Sequence, residues 1–118
     1  MKKVLVVDDE YDIREILNDF LSTCNVNVRT AENGEIAISV FEEFKPDLAI
    51  VDIQMAIMGG VEFSKKIIAE YPDFPIVMIT GYYNEYDIDE ILSIGVKEVV
   101  KKPLQLDKFY SSLQKYFA

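Results

Sequence analysis

Histidine is absent from all 118 residues of the chain. Its absence removes the commonest general base, the commonest nitrogen ligand for metals and any phosphohistidine role. Cysteine occurs once, at Cys24, so no internal disulfide can form. A lone thiol fits a reducing compartment and reads as a small buried hydrophobe. Positive charge is scarce as well, with 12 Lys and Arg against 21 Asp and Glu and a net charge of −9. Such a surface repels phosphate backbones and argues against direct binding of nucleic acid. No apolar stretch approaches membrane-spanning length, and the opening MKKVLVV reaches Asp8 after only four apolar residues, too few for a secretory h-region. Any chemistry must therefore use carboxylates, hydroxyls and amines.

Short apolar runs alternate with segments of helical period, five of each, which is the pattern of a doubly wound α/β domain. The run VLVV before Asp8 is the first strand, and a helix is expected from Glu10 to Thr23 with Ile13, Ile16, Leu17, Phe20 and Leu21 on one face. Asn25 to Ala31 reads as a strand. Asn33-Gly34 opens a helix carrying Ile36, Ala37, Val40, Phe41 and Phe44 inward, and Pro46 stops it. Leu48 to Val51 is wholly apolar, as a central parallel strand requires, and Asp52 ends it. A loop through Met55, Met58 and Gly59-Gly60 leads to a third helix, Val61 to Glu70. The fourth strand is Ile76 to Ile79, a looser helix spans Tyr86 to Ile94 before Gly95, and the fifth strand is Glu98 to Lys101. Leu106, Phe109, Tyr110, Leu113, Tyr116 and Phe117 form the stripe of the last helix. Residues 1–118 are expected to form one domain.

Polar signatures follow four of the apolar runs: Asp8-Asp9, Asp52, Thr80 and Lys102-Pro103. Ligand chemistry in a parallel sheet gathers outside the carboxyl ends of the strands, so these groups should converge. Each like-charge pair of carboxylates at about 4 Å costs roughly 4 kcal/mol at an effective dielectric of 20, and the single ammonium of Lys102 cannot balance three acids. Oxygen ligands without His or Cys suit Mg²⁺. A carboxylate can also attack phosphorus to give an acyl phosphate. In that reading Asp52 attacks in line, Asp9 and Asp52 hold the metal with Asp8 acting through waters, Lys102 pairs with the phosphoryl group and Thr80 donates a hydrogen bond to it. Taken singly, each residue has a plainer role: Asp8-Asp9 as a helix cap, Asp52 as a loop-entry acid, Thr80 as a strand-end hydroxyl and Lys102 as a solvated charge. Their joint order along the strands is what points to one site.

The segments VLVVDDE, LAIVDIQM, MITG and VVKKP resemble the receiver domain of two-component response regulators, over the whole chain. The resemblance implies a flavodoxin-like (βα)5 sandwich, a five-stranded parallel sheet of order 2-1-3-4-5 with helices on both faces. It implies that Asp52 accepts phosphate from a sensor histidine kinase or a histidine phosphotransferase, with Asp8 and Asp9 as the acidic pair. The backbone carbonyl of Gln54 would complete the Mg²⁺ shell, with Mn²⁺ as a substitute, while Thr80 and Lys102 bind the phosphoryl group. Catalysis beyond autocatalytic phosphotransfer and autodephosphorylation is not implied. The expected setting is the cytoplasm, without membrane or direct nucleic-acid contact, as a monomer or a weak phosphorylation-dependent dimer. A cis peptide at Lys102-Pro103 is implied as well.

Two departures stand out. Met55-Ala56 replaces the family's usual Met-Pro, and Gly59 replaces a frequent acidic or small polar residue. Losing Pro and gaining Gly each enlarge the unfolded ensemble by roughly 0.4–1 kcal/mol, so the loop is expected to be more mobile in the free form. Val99 replaces a Tyr or Phe that commonly reports the state of the switch hydroxyl, so coupling would run through Gly81-Tyr82-Tyr83 and the fourth helix.

With no linker or output domain after the fifth helix, the leading expectation is a stand-alone phosphoacceptor switch, either target-binding like a chemotaxis regulator or a relay intermediate of the sporulation type. Tyr11, Ile13, Arg14 and Pro103-Leu104 resemble the docking face of the relay type. The alternatives are a receiver fragment of a longer transcription factor or hybrid kinase, and a pseudo-receiver that acts only as an interaction module. A phosphatase of the haloacid dehalogenase type would need a second acid two residues after Asp52, where this chain has Gln54.

Overall fold

The computed structural model describes residues 1–117. Along the chain come β1 (Lys2–Val7), α1 (Tyr11–Thr23), β2 (Val26–Ala31), α2 (Gly34–Phe44), β3 (Leu48–Asp52), α3 (Gly60–Glu70), β4 (Ile76–Thr80), α4 (Ile88–Ser93), β5 (Glu98–Lys101) and α5 (Leu106–Leu113). Short 3₁₀ turns at Tyr83–Glu85 and Gln114–Tyr116 precede α4 and follow α5. All strand pairings are parallel and the order is β2-β1-β3-β4-β5, as the resemblance implied.

Alternation along the strands builds two cores. In β1, Leu5 and Val7 face a cluster with Ala37 and Phe41 of α2, Phe63 and Ile67 of α3, and Ile91 of α4. Val4 and Val6 face the opposite cluster, with Leu17 and Leu21 of α1 and Phe109 and Leu113 of α5. A side-chain period of two and helices on both faces make the central strands apolar on both sides, so every residue of β3 and β4 is buried. The order also fixes where a ligand can enter. From β1 the chain steps to β2 on one side and later to β3 on the other, so a crevice opens between the carboxyl ends of β1 and β3.

Several local expectations are corrected. Tyr86 is extended rather than helical, and α4 shrinks to six residues behind an Asp87 cap that accepts from the Glu90 N–H. Packing explains this, because Tyr86 turns its ring onto the core beside Ile91. The last helix gives way to a 3₁₀ turn at Gln114. Ile16 and Ile36 lie at the rims of their helices and are exposed rather than inward. Cys24 is half-buried, packing against one edge of the core.

The loop between β3 and α3 is held at several points. The Gly60 N–H donates to the Ile53 carbonyl at 2.9 Å, the Gly34 N–H donates to the Met58 carbonyl at 2.9 Å, and Met55 and Met58 pack on the core. Strain concentrates at Ile57 between these ties. Its φ is +68° and its side chain is 77% exposed, so a β-branched residue sits in the left-handed region with little burial in return. A left-handed L-residue costs roughly 1–2 kcal/mol, and glycine returns about 0.4–1 kcal/mol of that as unfolded-state entropy. Ile57→Gly is therefore expected to stabilise the protein by about 0.5–1 kcal/mol, read as a higher urea midpoint at unchanged m-value.

Candidate functional site

Three carboxylates meet at the crevice. Asp8 follows β1 and is fully buried, Asp52 ends β3 at 5% exposure, and Asp9 is exposed at the mouth. One oxygen from each lies within 4.8 Å of the others. Lys102 reaches in from the turn after β5, its Nζ standing 3.0 Å from Asp8 Oδ2 and 3.6 Å from Asp52 Oδ2. The peptide at Lys102-Pro103 is cis, as the resemblance implied.

Local hydrogen bonds fix these groups. The other Asp8 oxygen, Oδ1, accepts from the Glu10 N–H at 2.9 Å, and Arg14 donates to the Asp8 carbonyl at 2.7 Å. The helix-cap role weighed for Asp8 is not the one it plays: the N-cap of α1 is Glu10, which makes no side-chain cap, and Asp8 Oδ1 closes a local turn onto the Glu10 N–H. Arg14 also buttresses the Asp8 backbone and lies 5.7 Å from the Tyr11 ring centroid. The Lys102 N–H donates to the Thr80 carbonyl at 2.8 Å, tying the β5 turn to the end of β4.

The electrostatics are unbalanced. Burial, and then the charge of Asp8, push the Asp52 carboxyl up to about 6 despite the opposing pull of Lys102. Burial alone would depress the Lys102 ammonium, but Asp8 and Asp52 together hold it above its ordinary value. Asp8 Oδ2, although near that ammonium, has no hydrogen bond of acceptable angle. A buried carboxylate oxygen without a hydrogen bond, three acids and one ammonium together form an all-oxygen donor set short of positive charge. That set fits a hard divalent cation such as Mg²⁺.

The crevice encloses about 610 Å³ and is lined by Asp9, Glu10, Asp52, Gln54, Met55, Ala56, Gly81, Tyr82 and Lys102. Sequence reasoning had placed Asp52, Asp9, Gln54 and Lys102 here, and Asp8 lies directly beneath them. Thr80 is the exception. Its hydroxyl is buried, it does not line the crevice, and it accepts from the Tyr82 N–H at 2.9 Å. Glu10 and Tyr82 were missed as lining residues. Glu10 was legible as the next acid after the pair, whereas the 55% exposed Tyr82 depends on the course of the loop after β4.

Comparison with known proteins agrees with this geometry. The family model described as "Response regulator receiver domain" matches residues 4–114. The chain is 30% identical over 116 residues to the chemotaxis protein CheY of Listeria monocytogenes, covering 98% of both proteins. It is 36% identical over 102 residues to PhoP of Bacillus subtilis, a transcriptional regulatory protein for alkaline phosphatase synthesis, covering 86% of this chain and 42% of that protein. Among solved structures, the response regulator TrrA of Thermotoga maritima in complex with Mg(2+)-BeF superposes with a TM-score of 0.88 at 34% identity, covering 98% of this chain and 99% of that one.

Proposed function

The chain belongs to the response regulator receiver domain family, a regulatory family of two-component signalling, and on that premise we propose that Asp52 is its phosphoacceptor. The carrying observation is the convergence of Asp8, Asp9 and Asp52 oxygens within 4.8 Å beside the Lys102 ammonium. Asp8, Asp9 and Asp52, with the backbone carbonyl of Gln54, would hold Mg²⁺, or Mn²⁺ in its place. When bound, the metal neutralises charge on the carboxylates and on the incoming phosphoryl oxygens. Asp52 supplies the attacking oxygen, and the P–N bond of a phosphohistidine on a sensor kinase or phosphotransferase breaks as the P–O bond forms. The lone pair left on the histidine takes up a proton. Lys102 pairs with the transferred group and Thr80 donates to one of its oxygens. Reaction with water returns phosphate and the free carboxylate, with no other turnover. TrrA, solved with Mg(2+)-BeF, supports this reading, since beryllium fluoride mimics a phosphoryl group.

Receiver domains work between histidine kinases and downstream effectors, and this chain is assigned that place in the cytoplasm, as a monomer or a weak phosphorylation-dependent dimer. No helix among the described residues is long and apolar enough to cross a membrane. The chain covers 98% of CheY, so a single receiver domain suffices for a switch of that kind. The chain spans less than half of PhoP, and that likeness favours the alternative of a receiver within a longer regulator.

Intact mass after incubation with acetyl phosphate tests the proposal. A single phosphoryl adduct is expected with Mg²⁺, absent with EDTA and discharged by hydroxylamine as an acyl phosphate is. An adduct that forms in EDTA or resists hydroxylamine would overturn the assignment to a metal-assisted carboxylate.

A further inference from the structure

Lys101 and Lys102 are consecutive, yet only Lys102 points at the carboxylates. The ammonium of Lys101 lies 4.8 Å from the ring centroid of Tyr83, in the 3₁₀ turn after β4. Val99 and Lys101 are two residues apart in β5 and so share a face of the sheet, the one on which Val99, like Tyr86, packs against the core cluster that contains Ile91. The side chain that engages the loop from this edge is therefore a lysine stem rather than an aromatic ring at position 99.

The loop end of this contact is bound to the site. Thr80 is 1% exposed, and its hydroxyl is engaged by the Tyr82 N–H. To face a group on Asp52, Thr80 must turn toward the crevice, and the Tyr82 backbone must follow or release it. Tyr83 is the next residue, so any such shift acts on the ring that Lys101 covers. The strand end of the contact is equally close to the chemistry, because Lys101 precedes the lysine that pairs with Asp8 and Asp52.

Resting on the phosphoacceptor reading above, we infer that Lys101 and Tyr83 form a latch. It holds the Tyr82-Tyr83 segment where the Thr80 hydroxyl is withheld from the crevice, and filling the phosphoryl position opens it. Both are positioning residues acting through Thr80, and neither touches the transferred group. A cation–π contact at an exposed site biases a two-state equilibrium by about 2–5-fold. Removing the charge should shift the free protein toward the open arrangement by that factor.

The test uses the full chain with Mg²⁺ and beryllium fluoride as the phosphoryl mimic. Lys101→Met, which keeps the apolar stem, is expected to bind beryllium fluoride about 2–5-fold more tightly than the unmodified protein, with affinity for Mg²⁺ alone unchanged. Lys101→Arg, whose guanidinium also stacks on rings, should restore the original value. By NMR, the side-chain methylenes of Lys101 should show an upfield ring-current shift in the free protein that disappears at saturation. A shift that persists at saturation, or a Met variant that binds no more tightly, overturns the latch while leaving the phosphoacceptor intact. Failure of the unmodified protein to bind beryllium fluoride in Mg²⁺ overturns both.

Discussion

Asp52→Asn is expected to abolish the phosphoryl adduct and, in EDTA at pH 7, to raise the unfolding free energy by about 1–3 kcal/mol. The second effect follows from the raised carboxyl. Asp52 titrates near 6 in the fold against 3.8 as a free side chain, and each pH unit is worth about 1.4 kcal/mol. Between about pH 4 and 6 the folded state binds more protons than the unfolded chain, so stability falls as pH rises through that window and stays reduced above it. The isosteric amide has no charge to desolvate, and the variant should lose this slope. Mg²⁺ should reverse the order, stabilising the parent more than the variant because binding to the native state adds RT ln(1 + [L]/Kd). Urea titrations at pH 4.5 and 7, with and without Mg²⁺, measure all of this. A variant less stable than the parent at pH 7 in EDTA would show that Lys102 already balances the site.

The other large effect is expected away from the charges, at Gly60. A β-carbon there would lie 2.2 Å from the carbonyl oxygen of Asp52 and 3.0 Å from its carbonyl carbon. Backbone cannot rotate aside as a side chain can, so Gly60→Ala must push α3 away from the end of β3. Overpacking of this kind costs typically about 1–3 kcal/mol and sometimes more, and main chain against main chain belongs at the upper end. The displacement also falls on the residue that carries Asp52, so phosphorylation by acetyl phosphate should drop even in protein that remains folded. Gly59→Ala is the control. Its β-carbon would meet the Ile53 carbonyl oxygen at 3.3 Å, with φ at −76°, and a change within about 0.5 kcal/mol is expected. Equal effects at the two glycines would remove the close approach as the cause.

These glycines show how far the sequence can be read. Gly59-Gly60 looks like one flexible turn, and nothing in the residues distinguishes the partner that tolerates a side chain from the one that cannot. The distinction comes from α3 being packed within touching distance of β3. By contrast, the sheet and its acids were legible, because VLVV and LAIV are apolar runs of strand length, each ending at the acids that mark the carboxyl edge of a parallel sheet. Lys102 was also legible from its place after the fifth run. Thr80 was legible at the end of the fourth run, but the hydrogen bond its hydroxyl accepts from the Tyr82 N–H was not, because it depends on the course of the loop after β4. Tyr86 misled because it opens the loose run that ends at Gly95, while packing of its ring on the core goes with an extended backbone. Ile57, in a left-handed conformation normally left to Gly or Asn, carries no local signal at all.

The uneven charge of the crevice gives the domain an uneven course of evolutionary decay. A lineage released from signalling that loses the acid at position 52 removes a costly buried charge and keeps the Lys102–Asp8 pair, so drift in that direction is rewarded by a more durable fold. A lineage that first loses Lys102 leaves Asp8 and Asp52 buried together without a counter-charge, and purifying selection on folding alone should resist it. Descendants that have become silent interaction modules should therefore keep the lysine long after the phosphoacceptor has gone.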